Sequence, residues 1–528
     1  MRNFKALAAL AAFFLVVGCT SKKLEYGLEG SETLRININT EPPSLDWQKS
    51  TDTTSSHITV NLMEGLAVYD LNNPELPVVP GLAESWTVSK DSKKWTFKIR
   101  KGVKWTDGVE LTAQHFVDGW ERLLSPATAS EYAYHLYPIQ GAQEFNQGKN
   151  KDFASVGAKA TDAHTLVVDL KQAMSFFPML TTHHSAYPVR KDVVAKFGDK
   201  WTEPGNIVTL GPYKLKIWEH DKALVLERND DYYGEKAKTR YVLAYMINEL
   251  STALNLFESG KLDVLTELPS TELSKLKTRS EYRNRDSLLM YYYGFNIAKP
   301  PMNNPLVRKA LATAIDREEL VRVLNGGQKP LTSWVPGGIM GYTPDKGTKF
   351  DVTKAKELLK QAGFADPTKV PKIVIGFNTN ENHQRIAENI QAQLKKNLGV
   401  TVELQNQEWK VYLKQLQADA PHIFRMGWMA DYPDPSNFMD LMLSYSENNH
   451  TRWKNNKYDE MVGKARAEQN LESRKSLYAQ AQALLVEDDV PVVPLYSGTL
   501  NKFVATRVQN YPLNALDRLE FRNVTLTK

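Results

Sequence analysis

Apolar positions fall into three patterns along this chain. Residues 6–17 (ALAALAAFFLVV) form one uninterrupted apolar run, long enough for the core of a signal peptide and too short to span a bilayer as a stable helix. From residue 33 the pattern becomes short alternation: Leu34, Ile36 and Ile38 alternate with polar residues and predict a half-buried strand. Further strands are expected at 95–99, 165–170, 213–218 and 223–227. The stretch from 60 to 190 mixes short strands, turns and a few helices.

Beyond about residue 300 the spacing lengthens to helical periods. Asn304-Pro305 is a helix start, with Asn able to cap and Pro suited to the first turn. Asp316, with Glu319 three residues on, resembles a capping box, and Gly326 fits the stop. Asp351 predicts a cap for a helix that ends near Gly363. Ile386, Ile390, Leu394 and Leu398 give one apolar helix face, closed by Gly399 before a strand at 400–405. A last long helix is expected over about 471–487 and a buried strand over 490–496. Helices alternating with strands imply an α/β domain.

Composition adds export to this picture. Arg2 and Lys5 precede the apolar run, and Val16-Val17-Gly18-Cys19 after it resembles a bacterial lipobox. Cleavage before Cys19 and acylation of its thiol are expected, with residues 19–32 as a tether to a membrane. Cys19 is the single cysteine of 528 residues, so disulfides and cysteine-based metal or nucleophilic chemistry are excluded from the exported part. The formal charge of +5 is dispersed along the chain, which argues against a nucleic-acid surface. Eleven Trp and 23 Tyr exceed what a core alone requires and suit a ligand cleft with flat, rigid walls.

Enzyme motifs are missing: there is no HExxH, no GxSxG and no Walker loop. His183-His184 is the one adjacent histidine pair, and on a strand the two rings would point to opposite faces and not chelate together.

Several segments together resemble the peptide-binding family of ABC importers, most closely its oligopeptide-binding type. They include Glu41-Pro42-Pro43-Ser44-Leu45-Asp46, the run WTFKIRKGVKWTDG at 95–108, Asn406-Gln407-Glu408-Trp409, and Gly427-Trp428-Met429-Ala430-Asp431-Tyr432. The similarity extends in order from about 33 to about 500. It implies a type II periplasmic-binding-protein fold, α/β, with two lobes, a hinge, and an extra domain on the N-terminal lobe. The first lobe would be discontinuous, 33–63 with 190–293 and 497–528. The extra domain would be 64–189 and the second lobe 294–496, with crossings near 293 and 496.

The resemblance further implies a non-enzymatic receptor for short peptides, without cofactor or metal. It would work as a monomer outside the cytoplasmic membrane and serve the membrane subunits of an importer. Asp431 would pair with the ligand's α-ammonium; the alternative is that it caps a turn in the turn-rich run from 431 to 435. Gly427-Trp428-Met429 would pair with the peptide backbone, as would a second strand near Thr51–Thr53. Tyr132, Trp428 and Trp409 would be cleft walls. His383 and Arg425 would meet the ligand's carboxylate, although a further arginine position of the family is Leu416 here. Some relatives place cysteines at the positions of Leu289 and Met429, where this chain must rely on apolar contact. A receptor of the same fold for a murein peptide, a metal chelate or an oligosaccharide is the competing expectation. An enzyme or a chaperone-like exported protein is a third.

Overall fold

The computed structural model describes residues 23–527, so the signal run and Cys19 lie outside the described residues. One large mixed sheet organises the molecule. One end of it has the order Val402–Gln407, Ile373–Asn378, Ile423–Met429. Two long strands follow, Tyr282–Phe295 and Val492–Val504. The other end continues with Val264–Leu265, Thr33–Asn37, Tyr241–Tyr245, Ala223–Arg228 and Tyr213–Glu219. The long pair runs antiparallel and carries the chain between the two lobes.

Midway along this pair the register breaks. Asp286 faces Thr499 and Met290 faces Ser497, so residues 287–289 stand opposite Gly498 alone. The extra residues bulge, and bulges bend and twist a strand. Gly498 is required there, because a Cβ on it would lie 2.5 Å from Leu289 Cδ2. The bulge turns Leu289 into the space between the lobes, a few residues before the crossing expected near 293.

The predicted elements are present with informative differences. Thr33–Asn37 is buried on both faces, since it pairs in parallel with strands on either side. The helix Glu381–Leu398 buries Ile386, Ile390, Leu394 and Leu398 against Ile373, Ile375 and Phe377. Each such side chain contributes on the order of 2 kcal/mol of transfer free energy. Gly399 ends the helix at φ 76°, and the next strand starts at Val402, two residues later than expected. Asp316 does cap Arg317–Leu324 by accepting from Glu319 N at 3.0 Å. The reciprocal half of the box is absent: Glu319 accepts from Asn389, and the Asp316 N–H donates to Gln393. Asn325, at φ 50°, supplies the left-handed stop in place of Gly326. The last long helix is regular over Leu471–Ala483 and finishes in a wider π turn, and the strand after it runs on to Val504.

The expected tether is folded from residue 23 onward. Leu28 is buried with Ala223, Val225, Tyr241 and Leu243, and Tyr26 Oη donates to Glu219 at 2.6 Å. Two apolar anchors, Leu24 and Leu28, pack on apolar side chains of the sheet, so burial outweighs the polar composition of the segment.

Within 64–189 a separate four-stranded antiparallel sheet has the order Ala83–Val88, Lys94–Ile99, Thr165–Asp169, Ala158–Asp162. The helix Ala113–Leu124 packs on it through Phe116, Trp120, Leu123 and Leu124. Arg122 then reaches out of this segment to Asp46 at 2.9 Å and Gln48 at 2.7 Å, fixing the segment to the chain that precedes the helix Thr53–Leu62.

Candidate functional site

Between the lobes lie two adjoining chambers of about 270 and 280 Å³. Asp431 lines the first. Its strand, Ile423–Met429, pairs with one crossing strand in the register Leu289↔Met429, Met290↔Trp428, Tyr291↔Gly427. On its other side it pairs with Ile373–Asn378 only at Ile423 and Phe424. The Ala430 N–H donates to Leu288 O, so even-numbered residues turn their backbone groups to the crossing strand. Antiparallel alternation then turns those of Gly427 and Met429 to the open edge, in the chamber. A Cβ at Gly427 would meet nothing nearer than 3.4 Å, so the protein's own packing does not demand glycine there.

The turn after this strand is held by Asp434. It takes Ser436 N at 2.9 Å and a forked pair of bonds from Arg474 at 2.8 and 2.9 Å. Turn capping therefore falls to Asp434 and leaves the Asp431 carboxylate free. Asn437 fastens the geometry: its Oδ1 accepts from Asp431 N and Trp428 Nε1, both at 2.9 Å, and its Nδ2 donates to Asp431 Oδ2 at 2.9 Å.

The opposite wall supplies two more donors. Tyr132 Oη donates to Asp431 Oδ2 at 3.2 Å, and His183 Nε2 lies 3.3 Å from Oδ1. His183 Nδ1 accepts from Ser185 N, which assigns the proton to Nε2. Burial, then the charges of His135 and Arg518, hold the His183 pKa well below the ordinary 6.5, so this donor is neutral. Burial is also the largest influence on Asp431 and raises its pKa, against the lowering effect of Asn437. Among the described residues no lysine or arginine is ion-paired with Asp431. The carboxylate is 12% exposed, ringed by neutral donors and short of one positive charge.

Tyr132 is placed by Ser130, whose hydroxyl donates to Gln48 O at 2.5 Å and accepts from Tyr132 N at 3.2 Å. Its ring packs 4.4 Å from His183 and 6.0 Å from Trp428. Trp409 lines the same chamber and hydrogen-bonds the buried Asp52. Thr51 and Thr53 also line it, but Thr53 begins the helix Thr53–Leu62 that Asp52 caps. Asp52 is extended and Thr53 is already helical, so the expected second pairing segment does not reach through Thr53.

His383 and Arg425 stand where the chambers meet. Arg425 donates to Asn378 Oδ1 at 3.1 Å and lies over the Tyr291 ring at 4.8 Å. Its Nε is buried with no partner, and no carboxylate of the described residues lies within ion-pair reach. His383 Nδ1 is 3.3 Å from Tyr291 Oη, and burial, then Arg425, keeps its pKa well below the ordinary value. Leu416 is fully buried in the core and takes no part in the cleft.

The adjacent histidines differ from expectation. His183 caps and His184 begins a 3₁₀ turn, with ring centroids 4.0 Å apart, and His184 Nε2 is 3.2 Å from Ser50 O. Among the described residues no cluster of three or more His, Cys, Asp or Glu could hold a metal ion. Sequence reasoning passed over Asn437 and His183 as parts of the Asp431 site. Neither stands at a spacing that links it to Asp431, and a turn and a cross-cleft contact bring them there.

Comparison with known proteins places this cleft in context. Residues 77–450 match the family described as bacterial extracellular solute-binding proteins, family 5, middle region. The periplasmic oligopeptide-binding protein OppA of Salmonella typhimurium is 36% identical, over 100% of this chain and 99% of its own. The periplasmic murein peptide-binding protein MppA of Escherichia coli is 35% identical, covering 92% of this chain and 91% of its own.

Among solved structures, Haemophilus influenzae OppA in complex with the peptide RPPGFSPFR superposes with a TM-score of 0.89 at 33% identity, covering 95% of this chain and 100% of that one. The unliganded open form of MppA, at 34% identity and covering 95% and 98% of the two chains, reaches only 0.64. The lobes here are thus arranged as in a peptide complex and not as in an open receptor. On this sequence match, this architecture and this cleft, the chain belongs to family 5 of the bacterial extracellular solute-binding proteins, among its oligopeptide-binding members.

Proposed function

We propose that this protein captures short peptides outside the cytoplasmic membrane, where Cys19 anchors it through lipid, and hands them to an ABC importer. The observation that carries the reading is Asp431: a largely buried carboxylate with three neutral donors and, among the described residues, no ion-paired lysine or arginine, at the end of an open strand edge. A peptide α-ammonium supplies the missing charge, and the backbone groups of Gly427 and Met429 pair with an extended main chain. Features common to all peptides are then bound while side chains remain loosely selected.

Arg425 receives the ligand's carboxylate, with His383 beside it as a neutral partner. Trp428, Tyr132 and Trp409 are the walls. The lobes divide as 33–63 with 190–293 and 497–528, then 64–189 as the added domain, and 294–496, and they close over the ligand about the crossing strands.

Asp431→Ala should weaken free peptides by roughly thirty-fold to several thousand-fold, the cost of stripping one partner from a buried charged pair. N-acetylated peptides should lose far less, and equal losses for both would remove the ammonium role. Mass spectrometry of whatever the denatured protein releases should find a set of short peptides. A single sugar or chelate would sink the reading. A murein peptide is the second reading, favoured by the 35% identity to MppA, and the same spectrum distinguishes it.

A further inference from the structure

We propose that Glu267 is a specificity residue that favours peptides bearing a basic side chain, an inference that rests on the peptide reading above. Four carboxylates line the two chambers. Asp431 is assigned to the ammonium. Asp517 is neutralised by Lys502 at 2.9 Å, with His57 at 3.4 Å. Asp52 spends its oxygens on Ser55, at 3.0 Å to the amide and 2.6 Å to the hydroxyl, and caps a helix.

Glu267 remains. It lines both chambers, at the junction where His383 and Arg425 stand. Asn380 Nδ2 donates to its Oε2 and Asn382 Nδ2 to its Oε1, both at 2.9 Å. These amides orient the carboxylate but carry no charge, and they fill about half of its acceptor sites. Among the described residues Glu267 has no ion-paired lysine, arginine or histidine. The helix Glu381–Leu398 starts at this point and offers about half a positive charge, which stabilises the carboxylate without neutralising it. Nearby Arg425 is held by Asn378 and the Tyr291 ring.

The Glu267 carboxylate, without an ion-paired cation among the described residues, therefore faces ligand space beside the Arg425 guanidinium, which is assigned to the ligand's own carboxylate. An extended peptide sends alternate side chains into such pockets. An ammonium or guanidinium arriving here makes charge-assisted hydrogen bonds, an aliphatic chain of equal length makes none, and a carboxylate is repelled.

The test uses the whole exported chain and tetra-alanine, with positions 2, 3 and 4 replaced in turn by lysine, norleucine or glutamate, by calorimetry at low salt. At one position lysine should bind about tenfold tighter than norleucine, and glutamate weaker than both. In Glu267→Gln, which keeps the size and an amide-accepting oxygen, the lysine-to-norleucine ratio at that position should fall to within about twofold of one. A lysine preference at no position, or one that survives in Glu267→Gln, overturns the proposal. A variant that weakens all three peptides alike, with the ratio unchanged, does so too and marks Glu267 as a bridge between the cleft walls. Failure of every norleucine peptide to bind would remove the peptide reading itself, and this assignment with it.

Discussion

Asp431 keeps a charge in a closed cleft by borrowing donors from both walls: Asn437 from its own side, Tyr132 and His183 from the other. Burial raises its pKa, so it protonates at a higher pH than an exposed aspartate. The protonated acid no longer attracts an ammonium. Free-peptide affinity should fall on acidification, beginning above the ordinary aspartate range. The same titration with an N-acetylated peptide should lack that component, and parallel curves would rule out the coupling. Gly427 makes a second test at this scale. The protein leaves room for a Cβ there. Gly427→Ala should keep the melting temperature within about 1 °C, a shift matching about 1 kcal/mol in a chain of this size. Peptide affinity should nevertheless drop about tenfold if a ligand main chain approaches this backbone.

Helix ends show how local signals are divided among partners. Asp316 caps Arg317–Leu324, while Glu319, which a capping box would turn back to the cap, is taken by Asn389 of another helix. Asp316→Ala should cost about 1 kcal/mol in denaturant unfolding. Glu319→Ala should lose less, and Asn389→Ala more than Glu319→Ala, because Asn389 also accepts from Gln393; a double-mutant cycle of the two should show coupling from their shared bond. Among the strands, the bulge opposite Gly498 does the corresponding work. It needs a glycine because Leu289 lies over it.

For the molecule as a whole, Asp517 joins three distant pieces: its own C-terminal segment, Lys502 on a crossing strand, and His57 of the first long helix. Burial alone would raise its pKa, but Lys502, then His57, outweigh burial and hold it down at about 2 against an ordinary 3.8. The ionised form is thus favoured by folding. This stability, about 2 kcal/mol, is fully present above pH 3.8 and is lost as pH falls through about 2. Asp517→Asn should lower stability at pH 6 and flatten that part of the acid limb in urea titrations. An unchanged acid limb would show that the three-piece contact contributes nothing.

Much was legible in the sequence because it depends on near neighbours. Helical spacing of Ile386, Ile390, Leu394 and Leu398 marked a buried face, Asn304 and Asp351 marked helix starts, and the motif around Asp431 marked the family. These signals are local in chain or preserved as strings. Other features came only with tertiary structure. Leu24 and Leu28 look like part of a polar tether until the apolar side chains of the sheet beside them are known. His183 and Asn437 complete the Asp431 site from across the cleft and from beyond a turn, distances that no periodicity encodes. The setting of Glu267 likewise exists only once Asn380 and Asn382 are brought to it, with no ion-paired cation among the described residues. A sequence states which charges a protein has, and folding decides which of them meet.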